Sequence, residues 1–392
     1  MKKAPPSSPA SVSVNIHSSN STGRTGVMVM NAMVFSTSVR QLSVIRRRKG
    51  MMVLVDQIAG GRGGSISCPV WFTSPATIRT LATGKNMSFV IPTLRNTFDL
   101  TMGDGAVIKI RQHGNPDGPR IMLANGNGFA ADGYFPFWGP LCDRFDMTIF
   151  DMRNHGQNPT ALSGLAGHSY AQMTLDLERI FRAVNQCAGT KTNIGIFHSM
   201  AGRTAMKHAV EIGFCWDALF LFDPPNVPPP DHREFHRMDG FEIRLHDWAM
   251  ARQNRFSDPS ELAGHYKETR AHSNWVEGAH ELMARAVLRQ EEGSGDWVLC
   301  CPREFEASIY IQAMTLNLWP TAEELGGPVK LIAGDPEAKG APGPAFANRA
   351  LAEDGGYDYE CIPGTGHMLQ IQKPEECRQA MFSFLAEKGI AQ

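Results

Sequence analysis

The chain has little that would mark it for a charged partner, a membrane or a disulfide scaffold. Lysine and arginine number 38 against 39 aspartates and glutamates, a formal net charge of −1. No whole-molecule field therefore favours nucleic acid or an anionic bilayer. No apolar run approaches the roughly 18 residues needed to span a membrane. The eight cysteines in 392 residues form no C-x-x-C pair, and Cys300 and Cys301 are adjacent. Buried, reduced thiols in a reducing compartment are expected, hence a cytoplasmic protein. The sequence also lacks a glycine-rich phosphate loop, a dinucleotide fingerprint and a basic-aromatic stripe. His232 and His236 are spaced i, i+4, but no third ligand stands at a metal-binding spacing. The expectation is no cofactor, no metal and no nucleic-acid partner.

Acidic residues are missing from one long stretch. Up to Lys85 the only one is Asp56, while Ser, Gly, Thr and Arg abound and Arg46-Arg47-Arg48-Lys49 forms a basic run. Such a segment has no apolar periodicity with which to bury a core. Residues 1–90 read as a basic tail outside the fold, either disordered or an organellar transit peptide. The latter would move the protein to an organellar matrix.

What is present begins near residue 97. Gly103-Asp104-Gly105 lies between two alternating apolar runs, 97–102 and 106–111, a strong hairpin signal. Short apolar strands follow at 120–125, 147–151, 194–198, 216–222, 328–334 and 357–362. Between them, Met173, Leu177, Ile180, Phe181 and Val184 fall on one helical stripe that Gly189 ends. A second helix is expected from about Met200 to Ile212, and a last one from Pro374 to near Gly389. Strands alternating with helices predict an α/β fold: a doubly wound, mostly parallel sheet with an N-terminal antiparallel hairpin. Residues 91–223 and 328–392 would form this core. The interval 224–327 is too long for a connection and is expected to be an inserted helical cap.

The segment Ile194 to Arg203 runs from an apolar strand into Ser199 and then into small residues. A serine hydroxyl is a weak nucleophile unless a base and an anion-stabilising pocket surround it. The candidate base is His367, in Gly364-Thr365-Gly366-His367 beyond the final strand. The candidate orienting acid is Asp335, beyond the preceding strand, although Gly-Asp-Pro is also a common turn whose carboxylate bonds nearby N–H groups. Asp223, which ends the strand after Ser199, is the alternative acid, and Glu337 is a third option. His198 is expected to pack behind the strand and take no part in chemistry.

These stretches resemble the α/β-hydrolase-fold serine hydrolases. The strand–serine–helix turn resembles that family's nucleophile elbow, and Asn125-Gly126-Asn127-Gly128-Phe129 its oxyanion loop. Asp151-Met152-Arg153-Asn154-His155-Gly156 resembles its turn after the fourth strand, and Gly364 to His367 its histidine loop. Phe197, Ala201, Asn125 and Asn154 depart from the usual residues; the bulky Phe197 must point away from the turn, and asparagine tolerates left-handed backbone. The resemblance implies a Ser199–His367–Asp335 triad, with the backbone N–H groups of Met200 and Asn127 as oxyanion donors. It implies an esterase or lactonase acting on a small, largely apolar substrate. C–C hydrolase, thioesterase, acyltransferase and cofactor-free haloperoxidase chemistry remain open within the fold, as does a ligand receptor or carrier that does not turn over. A homodimer is also an open option.

Overall fold

The computed structural model describes residues 41–48, 51–57 and 89–390. Gln41–Arg48 and Met51–Gln57 pair as antiparallel strands in a two-stranded sheet of their own. The 1–90 segment, expected to be structureless, thus contains a paired element; its other residues before Phe89 lie outside those described.

The main sheet has eight strands: β1 (Asn96–Thr101), β2 (Val107–Gly114), β3 (Arg120–Ala124), β4 (Asp146–Phe150), β5 (Asn193–His198), β6 (Ala218–Phe222), β7 (Val329–Gly334) and β8 (Asp358–Ile362). Their order is β8-β7-β6-β5-β3-β4-β2-β1. From β8 to β4 every pair is parallel, and β2 and β1 close one edge antiparallel. The expected hairpin is the β1–β2 pair.

Strands β3 to β7 are buried along their whole length, as a sheet covered on both faces requires. Their side chains alternate between two apolar layers. Ile121, Leu123, Ile194, Ile196 and Phe220 belong to one core, and Met122, Ala124, Phe197, Leu219 and Leu221 to the other. Helix α1 (Tyr170–Ala188) lays Met173, Leu177, Ile180 and Val184 into the second layer. It starts on Ser169, whose side chain accepts from the Gln172 N–H, and ends at Gly189 with φ 77°, where a Cβ would be strained. Helix α2 (Met200–Glu211) packs beside it.

Between β6 and β7 the chain builds α3 (Phe235–Ala251), α4 (Pro259–Glu268), α5 (Ala279–Val287) and α6 (Arg303–Ala313). It also builds a three-stranded antiparallel sheet from Leu288–Gln290, Trp297–Leu299 and Arg255–Phe256. The segment predicted to be helical is therefore mixed: Phe256, Trp297 and Val298, aromatic or β-branched, lie in its paired strands. Helices α7 (Gly343–Gly355) and α8 (Pro374–Glu387) complete the fold.

No helix among the described residues is long and apolar enough to cross a membrane. Among the described cysteines Cys142, Cys215, Cys300, Cys301, Cys361 and Cys377 are free thiols. Cys187 is disulfide-bonded, a departure from the expectation of reduced thiols throughout. His232 pairs with Asp354 at 3.2 Å, and His236 packs on Phe235.

Candidate active site

Ser199 sits between β5 and α2 with φ 55° and ψ −117°. That backbone region is open essentially to glycine alone, so a serine there stores strain of order 1–3 kcal/mol. The surroundings hold it in place. The Ser199 N–H donates to the Phe222 carbonyl at 2.9 Å and its own carbonyl accepts from the Arg203 N–H. A Cβ at Gly202 would lie 3.2 Å from the Pro224 side chain, so the start of α2 can lie close against the end of β6. Phe197 points into the core against Trp216, with ring centroids 5.2 Å apart. The bulky residue thus leaves the turn clear, as the sequence required.

The loop after β8 brings His367 to this serine. His367 Nε2 lies 2.9 Å from Ser199 Oγ, and Nδ1 lies 2.6 Å from Asp223 Oδ2. The carboxylate on the imidazole is therefore that of Asp223, not Asp335. Asp223 follows β6 directly, is fully buried and has a left-handed φ of 44°, which turns its side chain toward β7. Its other oxygen accepts from the Gly334 N–H at 3.2 Å and from Asn348 Nδ2 at 2.9 Å.

Asp335 folds back on its own loop. One carboxylate oxygen accepts from the Glu337 N–H and the other from the Gly364 N–H, both at 2.8 Å. Those backbone bonds, Gly364 first, hold its pKa below the usual aspartate range. Glu337 is exposed and pairs with Arg349 at 2.7 Å. Neither carboxylate is bonded to the imidazole.

The loop after β3 closes the other side of the serine. Asn125 clamps it: Nδ2 donates to the carbonyls of Gly126 and Phe129, and Oδ1 accepts from the Met152 N–H. The Gly126 N–H donates to the Tyr134 hydroxyl at 3.2 Å, and the Gly128 N–H donates to His155 Nε2 at 3.1 Å. Between them, the Asn127 N–H has no acceptor among the described residues, and neither has the Met200 N–H at the first position of α2. These are the two amides expected from the sequence. A helix N-terminus and a free loop amide at one serine suit a developing anion.

Two buried histidines brace this arrangement. Burial pushes His155 down to about 4, so the neutral ring accepts from Gly128 through Nε2 while Nδ1–H donates to the Arg153 carbonyl at 2.8 Å. His198, also held well below its ordinary value by burial and then by the His367 charge, joins the two loops that meet at Ser199. Its Nδ1 accepts from the Tyr134 hydroxyl at 2.8 Å, and its Nε2–H donates to the His367 carbonyl at 2.9 Å. It does lie behind the strand, but it also bridges the Gly126 loop to the His367 loop. Nothing in the sequence singles out Tyr134; a histidine next to Ser199 was the available signal for a support of this kind.

Arg153 is buried between Asp176 and Asp104 and organises the turn after β4. In the same turn Asn154 adopts φ 63°, the left-handed conformation that asparagine was expected to accept.

A cavity of about 510 Å³ opens onto Ser199 and His367. Phe129, Phe241, Leu245 and Trp248 give it apolar walls, and Arg252, paired with the buried Glu306 at 2.7 Å, gives it a polar one. Phe241, Leu245, Trp248, Arg252 and Glu306 all come from the segment between β6 and β7.

The sequence profile of the alpha/beta hydrolase family matches residues 121–380. No curated protein sequence matches the chain. Among solved structures, E-2-(acetamidomethylene)succinate hydrolase superposes with a TM-score of 0.59 at 17% identity, over 74% of this chain and 100% of that one. An alpha/beta hydrolase from Novosphingobium aromaticivorans gives 0.56 at 18%, over 75% and 98%. A thioesterase domain from the curacin biosynthetic pathway gives 0.53 at 16%, over 73% and 98%. At these identities the structural likeness speaks to fold. The profile match covers well over half of the chain, which belongs to the alpha/beta hydrolase family.

Proposed function

We propose that the protein is a cofactor-free serine hydrolase that cleaves an ester, lactone or related acyl bond through an acyl-enzyme. The observation that carries this reading is the continuous hydrogen-bonded line from Ser199 Oγ through both ring nitrogens of His367 to Asp223. In the proposed reaction Asp223 accepts from Nδ1–H and so leaves the lone pair of Nε2 facing the serine. His367 takes the Ser199 proton as Oγ attacks the carbonyl carbon, then gives that proton to the departing oxygen. Water, activated by the same nitrogen, releases the acid and restores Oγ–H.

Asp223 has donors on both oxygens, Gly334 and Asn348 on one and His367 on the other, so it holds the imidazole in one orientation. The Met200 and Asn127 N–H groups take the negative oxygen of the tetrahedral intermediate; one such donor is worth roughly 3 kcal/mol of barrier. The neutral state of His198, whose ring centroid lies 4.7 Å from that of His367, adds no charge that would oppose the imidazolium. The 224–327 segment acts as a cap that supplies the pocket wall and with it the specificity.

The test is turnover of p-nitrophenyl esters of graded chain length, with lactones and thioesters alongside. Wild-type protein is expected to hydrolyse a subset, and Ser199→Ala is expected to lose kcat by at least about 10³-fold. Equal turnover in the two proteins would overturn the reading.

A further inference from the structure

The cavity beside Ser199 is apolar on one side and cationic on the other. Arg252, Arg270 and Lys339 all line it, and Glu306 is its only carboxylate among the described residues. Glu306 does not offset the other two cations. It is buried under the Gly126–Phe129 loop, where a Cβ on Gly128 would come within 2.3 Å of its carboxylate, and it is tied to Arg252. Arg252 is itself fixed, with its guanidinium 4.9 Å over the Trp248 ring.

Arg270 and Lys339 are exposed at the opening, and neither has a carboxylate at ion-pair distance among the described residues. Arg270 is tethered to the backbone that carries Lys339. The Arg270 guanidinium donates to the Lys339 carbonyl at 2.7 Å. It lies so close to Gly340 (φ 71°) that a Cβ there would fall 1.8 Å from Nη2. A guanidinium seated on a glycine in this way has lost much of its rotamer freedom before any ligand arrives. His272 Nδ1, on a residue that lines the same cavity, is buried with no hydrogen-bond partner among the described residues. Burial holds His272 down at about 3 and neutral.

Two exposed cations that line one cavity with Phe129, Phe241, Leu245 and Trp248, and that have no carboxylate at ion-pair distance among the described residues, match a ligand that is apolar in its middle and anionic at one end. We infer that the substrate carries a carboxylate, separated from the scissile carbonyl by an apolar segment and received by Arg270 and Lys339. The inference rests on the acyl-hydrolase reading for its chemistry, but the anion site has its own readout. It narrows the sequence-based expectation of a largely apolar substrate to an amphiphilic acid.

Matched substrate pairs test it. One pair is p-nitrophenyl hexanoate against mono-p-nitrophenyl adipate, which adds the charge on the acyl side; the other is 3-carbamoylphenyl against 3-carboxyphenyl hexanoate, which adds it on the leaving side. The charged member of at least one pair is expected to show kcat/KM about tenfold higher at low ionic strength. That advantage should shrink severalfold in about 0.5 M NaCl. In the double variant Arg270→Gln/Lys339→Gln the ratio of charged to neutral kcat/KM should fall to about one. If neutral esters are hydrolysed and neither charged member is preferred, the inference falls and the hydrolase reading stands. If no ester is hydrolysed, the hydrolase reading falls. Calorimetry with adipate and hexanoate then decides the anion site: tighter adipate binding that the double variant loses supports it, and equal binding overturns it. Arg252 is not the residue to replace, because its loss would leave Glu306 buried and unpaired.

Discussion

Asp223 Oδ2 lies 2.6 Å from His367 Nδ1, although Asp223 follows β6 and His367 lies in the loop after β8, with β7 between the two strands. The carboxylate crosses that gap because Asp223 takes a left-handed φ of 44° immediately after its strand. Its second oxygen is then caught by the Gly334 N–H at the end of β7.

Asp223→Asn keeps the shape of the side chain but offers an N–H toward the imidazole and so favours the wrong tautomer. kcat is expected to fall by roughly 10³–10⁴-fold while the fold persists. Asp335→Asn keeps one accepting oxygen and so loses only one of the bonds from Glu337 and Gly364, and kcat should stay within about threefold of wild type with a stability loss near 1 kcal/mol. Steady-state kinetics on the two variants side by side separate the two acids; a larger effect at Asp335 would contradict the geometry.

The fold and most of the site were legible in the sequence for a local reason. Ser199, Met200, Asn127 and His367 each sit in a short glycine- or alanine-flanked turn at a strand end, so neighbouring residues betray them. The carboxylate bonded to the His367 imidazole is different in kind. Asp223 and Asp335 both follow apolar strands and both precede a proline, and the choice depends on a φ value and a strand order that no local pattern records. The Gly-Asp-Pro turn chemistry at 334–336 was the available signal that Asp335 would be spent on backbone N–H groups. The small antiparallel sheet within 255–299 was missed because its strands are two or three residues long. The His198–Tyr134 brace joins residues 64 apart, beyond any sequence periodicity.

Strain at Ser199 gives a stability prediction. With φ 55° and ψ −117°, Ser199→Gly relieves a conformation that Ser199→Ala retains. Ser199→Gly is expected to be more stable than Ser199→Ala by about 1 kcal/mol after the entropy of glycine is counted. Denaturant unfolding of the two inactive variants checks the sign.

The Gly126 loop has no room for growth. A Cβ on Gly126 would stand 2.8 Å from His198 Nδ1 and 3.0 Å from Ser199 Cβ. Gly126→Ala should push the loop off the serine and lower kcat by about 10²-fold, with KM changed far less. An unchanged kcat would mean that the loop amide plays no part in the reaction.

Acid should loosen the same loop through His155. Its folded pKa, about 4, lies below the unfolded value of 6.5, so the unfolded chain binds more protons below pH 6.5 and stability falls as pH falls. The expected loss from this group is at most about 1.4 kcal/mol per pH unit. Unfolding measured at pH 7 and pH 5.5 should therefore show a smaller drop for His155→Gln than for wild type. Equal drops would show that His155 does not carry the linkage.

The most direct test of the proposed relay is to treat the protein with a fluorophosphonate and locate the adduct by peptide mass spectrometry. The account predicts phosphonylation of Ser199, slowed by at least about 10²-fold in His367→Ala and Asp223→Asn and near wild-type rate in Asp335→Asn. No adduct at Ser199, or labelling that His367→Ala leaves untouched, would contradict it.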